Sequence, residues 1–155
     1  MNKNRFRLNK SLTLLAGILL LTACAGQVPS DLGIINGAEL RPCPDKPNCI
    51  QTFDPSDQAH FVLPLKFKST ALETRQAMSA AISHTGGKVI SEMPLTPSGY
   101  YLHAEYQSEW LKFVDDVEVV IKEGTIHLRS ASRLGYSDLG VNAQRIKEIK
   151  AAYAE

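Results

Sequence analysis

The chain has 155 residues with 17 basic and 16 acidic side chains, three cysteines and a single tryptophan. That length suits one domain built round one core. The balanced charge lacks the concentrated basic footprint that phosphate backbones require, so nucleic acid is not expected as a partner.

Residues 1–23 stand apart from the rest. Lys3, Arg5, Arg7 and Lys10 make a basic start, followed by an apolar run over Leu12–Leu21. This is the layout of a secretory signal peptide, and the run is too short for a comfortable transmembrane helix. It ends in Leu21-Thr22-Ala23-Cys24, which resembles the bacterial lipobox. The resemblance implies that Cys24 becomes the first mature residue and carries lipid such as palmitate, so the expected membrane contact is through that lipid. Ala25 rather than Asp follows the cysteine. By similarity to Gram-negative lipoproteins, this implies the outer membrane, with the domain facing the periplasm. Loss of residues 1–23 removes four of the 17 basic residues and leaves 132 residues with 13 basic against 16 acidic, net −3. A mildly acidic domain argues against electrostatic docking on anionic lipid.

Residues 24–39 are rich in glycine and small polar side chains and read as a flexible tether, with the domain proper over 40–155. Cys43 and Cys49 are then the remaining thiols, with three prolines close by. In an oxidising compartment a disulfide closing this small loop is the expected state, pinning the N-terminal arm to the domain. Phe61, Leu63, Leu65 and Phe67 alternate, which predicts a strand over Phe61–Phe67, confined to an edge by Pro64. Thr70-x-x-Glu73 makes a capping box for a helix ending at Gly86-Gly87, with Ala71, Thr74, Met78, Ala81, Ile82 and Thr85 on its inner face. Val89–Met93 and Tyr100–Tyr106 read as strands. On the second, Tyr100, Leu102, Ala104 and Tyr106 share one side, while Tyr101, His103 and Glu105 line the other. Trp110, in the loop after it, is expected to fold back over the sheet edge.

Val114–Ile121 and Ile126–Ala131 flank Lys122-Glu123-Gly124-Thr125, a hairpin with a two-residue turn at Glu123-Gly124. Counting from that turn pairs Ile121 with Ile126, Val119 with Leu128 and Val117 with Ser130 on a core face. The other face receives Val120/His127, Glu118/Arg129, Asp116/Ala131 and Val114/Arg133. A one-residue slip would turn the aliphatic set to water, so this register is favoured. Asp116 falls diagonally between Arg129 and Arg133, and the face reads either as a self-neutralising ladder or as a surface whose arginines hold an anion.

A last helix begins after Ser137 or Asp138, either of which can cap it. Val141, Ile146, Ile149, Ala152 and Tyr153 define its inner face, and Asn142 and Arg145 fall in the same arc. Buried polar groups need partners. Asp115 points to the core face opposite Ser132, so an Arg145–Asp115 clasp is expected, with Asn142 bonded to the Gly135–Ser137 loop. The fold class is therefore α+β: a single domain with a mostly antiparallel sheet of about five strands and two helices on one face.

The runs Cys43-Pro-Asp-Lys-Pro-Asn-Cys49, Phe113-Val-Asp-Asp-Val-Glu118 and Arg129-Ser-Ala-Ser-Arg-Leu-Gly-Tyr-Ser-Asp-Leu-Gly-Val-Asn142 resemble the domain-of-unknown-function family 1499 over Leu40–Ile149. The resemblance implies that the three runs lie close in space, and it implies no settled activity.

There is no G-x-S-x-G elbow, P-loop or dinucleotide fingerprint. No catalytic residue, cofactor or metal is assigned. The leading expectation is a non-catalytic envelope lipoprotein binding a ligand or an envelope protein through Arg129 and Arg133, with Asp116, Glu118, Ser132 and Tyr136 around them. Asp115, Asp138, Asn142 and Arg145 are expected as its structural support. One alternative is an envelope hydrolase or metal-dependent enzyme using Asp116, Glu118, His127 and His103, should the two histidines converge. Another is a purely structural interaction module.

Overall fold

The computed structural model of the protein describes residues 26–122 and 124–154. The signal peptide, the lipidation cysteine Cys24 and Glu123 of the hairpin turn lie outside the described residues. In chain order the elements are β1 (Ile34–Ile35), β2 (Glu39–Leu40), β3 (Cys49–Gln51), α1 (Ala71–His84), β4 (Lys88–Pro94), β5 (Tyr100–Gln107), β6 (Val114–Lys122), β7 (Thr125–Ser132) and α2 (Val141–Ala154). Strands β3 to β7 form one antiparallel sheet in the order β3-β7-β6-β5-β4, and β1-β2 form a small separate ribbon. This is the α+β fold that the sequence predicts.

The hairpin register is the expected one: Ile121 faces Ile126, Glu118 faces Arg129 and Asp115 faces Ser132. Leu102, Val117, Val119, Ile121, Ile126 and Leu128 turn one way and meet Met78 and Ile82 of α1 and Ile146 and Ile149 of α2. Burying each of these side chains contributes about 1.5–3 kcal/mol, so this layer holds the helices on the sheet. Thr70 caps α1 by accepting from the Glu73 amide at 3.1 Å. The helix stops at a tight exit where a side chain on Gly87 would strike the Tyr106 ring at 2.5 Å, which makes glycine necessary there. Thr85, expected on the inner face of α1, is instead its C-cap, and its hydroxyl meets Tyr106 Oη at 2.8 Å.

Three sequence expectations give way to tertiary context. Phe61–Phe67 is not a strand. Gln51 and Phe61 form an isolated parallel bridge, after which the chain runs irregularly, with Val62, Leu65 and Phe67 packed on the core margin. Pro64 has no amide to donate to a ladder, and the alternation itself is broken, since Leu63 is exposed while Val62 packs inward. Trp110 does not fold back over the sheet; it is 91 % exposed. The third concerns residues expected as a tether. Ala38 of that stretch packs, together with Leu40 of the domain proper, against Leu95, Tyr101 and Val120 on the second sheet face, with Ile34 beside them. That face carries apolar area as well as charge, and the N-terminal segment removes it from water.

Candidate functional site

The second face of β5, β6 and β7 is buried under this segment, and its charges are sealed rather than solvated. Glu118 is fully buried and Arg129 and Asp116 almost so. A carboxylate in that setting requires several donors. Glu118 has them: the Gly33 amide donates to Oε1 at 2.6 Å and the Tyr101 hydroxyl at 2.8 Å, while Arg129 Nη1 donates to Oε2 at 2.9 Å. Burial and the neighbouring Glu118 charge push the Tyr101 hydroxyl well above the ordinary tyrosine range, so it stays a donor.

Arg129 donates a second bond, from Nη2 to Asp31 Oδ2 at 2.8 Å. Asp31 belongs to the N-terminal segment, and its side chain is half exposed. Arg129 Nε is buried with no partner among the described residues. Asp116 does not bridge the two arginines as its diagonal position suggests. It takes Arg133 on both oxygens, at 2.8 and 2.7 Å, and His103 Nε2 at 2.7 Å. Burial alone would raise the Asp116 carboxyl, but the bonds from Arg133 and His103 outweigh it and hold it below the ordinary carboxylate range. Arg133 also donates to Glu105. Its bonds to Asp116, opposed in part by burial, and then that to Glu105 hold its guanidinium firmly charged.

Arg129 and Arg133 share a wall of a concavity of about 240 Å³ with Lys46, Asn48, Asp31 and Ser132. Tyr136, predicted for the same site, is exposed on the following loop and does not line it. Asp31, Lys46 and Asn48, which the sequence reading does not place in this site, come from segments without periodicity, and nothing local marks them as facing the sheet.

His103 and His127 do not converge. They sit on β5 and β7 with β6 between them, and their β6 partners are Glu118 and Val120 respectively. The His127 ring lies edge-on to Phe53, with Nδ1 buried and without a partner among the described residues. Burial, helped by Lys122, lowers its proton affinity. Ligand atoms of His103, Glu105 and Asp116 do lie within 4.8 Å of one another, a set that could hold a metal ion. The Arg133 guanidinium bonded to both carboxylates takes the position a cation would fill.

On the core face a second polar cluster joins α2 to the sheet. Arg145 Nη2 donates to Asp115 Oδ2 at 2.6 Å, the expected clasp. Asn142 is fully buried, but it does not bond the Gly135–Ser137 loop. Its amide donates to the Asn48 carbonyl and to Ser132 Oγ, both at 3.0 Å, and its oxygen accepts from Ser130 and Arg145. It is Asn48 that reaches the loop, donating to the Gly135 carbonyl at 2.9 Å. Asp138 accepts from the Asn142 amide at 2.7 Å and so caps α2. Val141, predicted on the inner face, is 48 % exposed and instead lines the open hollow at the start of α2.

The three sequence runs thus meet at one end of the sheet. The chain belongs to DUF1499, described as a protein of unknown function, whose family model matches residues 39–152. No curated protein and no solved structure matches the chain.

Proposed function

We propose that this DUF1499 member is a non-catalytic, lipid-anchored protein of the bacterial envelope. It is held at the outer membrane through Cys24 and binds a small anionic group, carboxylate or phosphate, beside Arg129 and Arg133. The address rests on the basic and apolar leader and on Leu21-Thr22-Ala23-Cys24. The Cys43–Cys49 bridge suits an oxidising compartment.

One observation carries the binding reading. Arg129 is gripped on its inner side by the fully buried Glu118, and on its outer side by Asp31, a half-exposed carboxylate on the N-terminal segment. Asp31 occupies the position an incoming anion would take, at the wall of a concavity that also holds Arg133 and Lys46. A ligand oxygen that replaced Asp31 on Nη2 could also reach the free Nε, a fork geometry suited to carboxylate and phosphate. Binding of this kind needs no change in the buried ladder.

Titration of the protein with inorganic phosphate and with succinate, followed by amide NMR shifts, tests it. Shifts should centre on Asp31, Lys46, Asn48 and Arg129. Asp31→Asn, which removes the competing charge, should tighten binding several-fold, and Lys46→Ala should weaken it. Absence of localised shifts with either anion, in both wild type and Asp31→Asn, would leave the ladder as a purely structural device. The anchor is tested separately: Cys24→Ala should abolish incorporation of labelled palmitate.

A further inference from the structure

We infer that the end of the domain carrying the β5–β6 and β7–α2 loops docks on the lipid bilayer, as a second contact beside the anchor. This rests on the anchored reading above. It does not depend on anion binding.

The two loops leave the sheet at the same end, since Gln107 pairs with Val114 and Asp115 with Ser132. Of the twelve large apolar side chains exposed among the described residues, seven are here: Trp110, Leu111 and Phe113 on one loop, Leu134, Tyr136 and Leu139 on the other, and Val141 at the start of α2. Scattered singly, such residues need no explanation, but gathered at one end they mark a contact surface. Phe113, Leu134, Leu139 and Val141 line a common open hollow of about 840 Å³.

Leu139 is the most informative of them. It is 95 % exposed and has φ 56°, in the left-handed region. Glycine or asparagine suits that backbone better, so burial in the fold does not explain a leucine at this position. Trp110, 91 % exposed, is of the type enriched at membrane–water interfaces.

The chain itself names the occupant. Gly26 lies against the β7–α2 loop so closely that a side chain there would meet Leu134 Cγ and Arg133 Cβ at 3.2 Å. Cys24 precedes it by two residues, a span of at most about 7 Å. A lipid on Cys24 would enter the bilayer beside Leu134, bringing this apolar end to the membrane. The net charge of −3 after loss of the leader points to zwitterionic headgroups rather than anionic ones.

Trp110 is the protein's single tryptophan and serves as the reporter. The full lipidated chain is reconstituted in phosphatidylcholine–phosphatidylethanolamine vesicles, and Trp110 emission is read with acyl-brominated lipid and with aqueous iodide. Docking predicts a shift to shorter wavelength, quenching by bromolipid and protection from iodide. Leu139→Asn, which suits the local backbone, should reduce the bromolipid quenching while thermal unfolding stays unchanged or rises. Vesicles enriched in phosphatidylglycerol should give no increase. If the protein floats with the vesicles but Trp110 stays open to iodide and silent to bromolipid, docking is refuted and the anchor stands. If it does not float, the anchor and the docking fall together. Iodide protection that appears without vesicles and grows with protein concentration would assign the surface to a second copy of the chain and overturn the bilayer.

Discussion

Glu118→Gln is the sharpest probe of the buried ladder. The substitution keeps shape and one acceptor, so the Gly33 amide and Tyr101 hydroxyl retain an oxygen at 2.6 and 2.8 Å. The second oxygen, 2.9 Å from Arg129 Nη1, becomes an amide that faces a donor. Arg129 is 2 % exposed and, among the described residues, keeps only the half-exposed Asp31 as a counter-charge. Breaking a buried pair by removing one partner costs about 3–5 kcal/mol, and the surviving Asp31 contact places the loss near about 3 kcal/mol. A domain of this size has about 5–15 kcal/mol in total, so the variant should fold with a much lower urea midpoint, by about 2 M at a slope of about 1.5 kcal/mol/M. The double variant Glu118→Gln/Arg129→Met removes both charges and should recover much of that loss, because replacing a whole buried pair by apolar volume is often neutral. Urea unfolding followed by circular dichroism on the four proteins gives the coupling energy directly. A single-variant loss under about 1 kcal/mol, or a double variant as unstable as the two single losses added, would refute the reading of Glu118 as the fixed anchor of Arg129.

Asn142→Ala strips the Asn48 carbonyl and both serine hydroxyls of a partner and should cost about 3 kcal/mol in urea unfolding, the scale of buried polar groups left unsatisfied. The Cys43–Cys49 bridge spans only six positions, so its reduction by dithiothreitol should lower stability by about 2 kcal/mol, the loop-closure value for so short a ring. His127 is held neutral by burial, with its folded-state pKa below the ordinary 6.5. The unfolded chain therefore takes up a proton that the folded chain refuses as pH falls below that value, and stability is lost in that direction. His127→Phe should flatten this part of the acid dependence, as read from urea midpoints above and below pH 6.5. An unchanged slope would mean that the imidazole charges freely in place.

Much of this protein is legible from local pattern alone. The alternation in Val114–Ile121 and Ile126–Ala131 permits one register without exposing the aliphatic set, and the observed pairs follow it residue by residue. Arg145 falls on the buried arc of its helix, the pairing count offers Asp115 as a candidate partner on the core face, and the two meet at 2.6 Å. Such inferences succeed because strand and helix periodicity are properties of the backbone, independent of what packs above. Asp31, Gly33 and Asn48 illustrate the opposite case. Each acts through a partner more than eighty positions away, and none lies in a periodic run that would point to it.

Spacing along the chain dictates the hairpin register, the two helices with the N-cap of the first, and the Glu118–Arg129 and Arg145–Asp115 pairs. Only the tertiary structure decided that the charged face lies under the N-terminal segment rather than in water. It also decided that Trp110 and Leu139 project outward together at one end. The difference is physical: pairing within an element is dictated by spacing along the chain, whereas burial depends on which distant segment arrives to cover it.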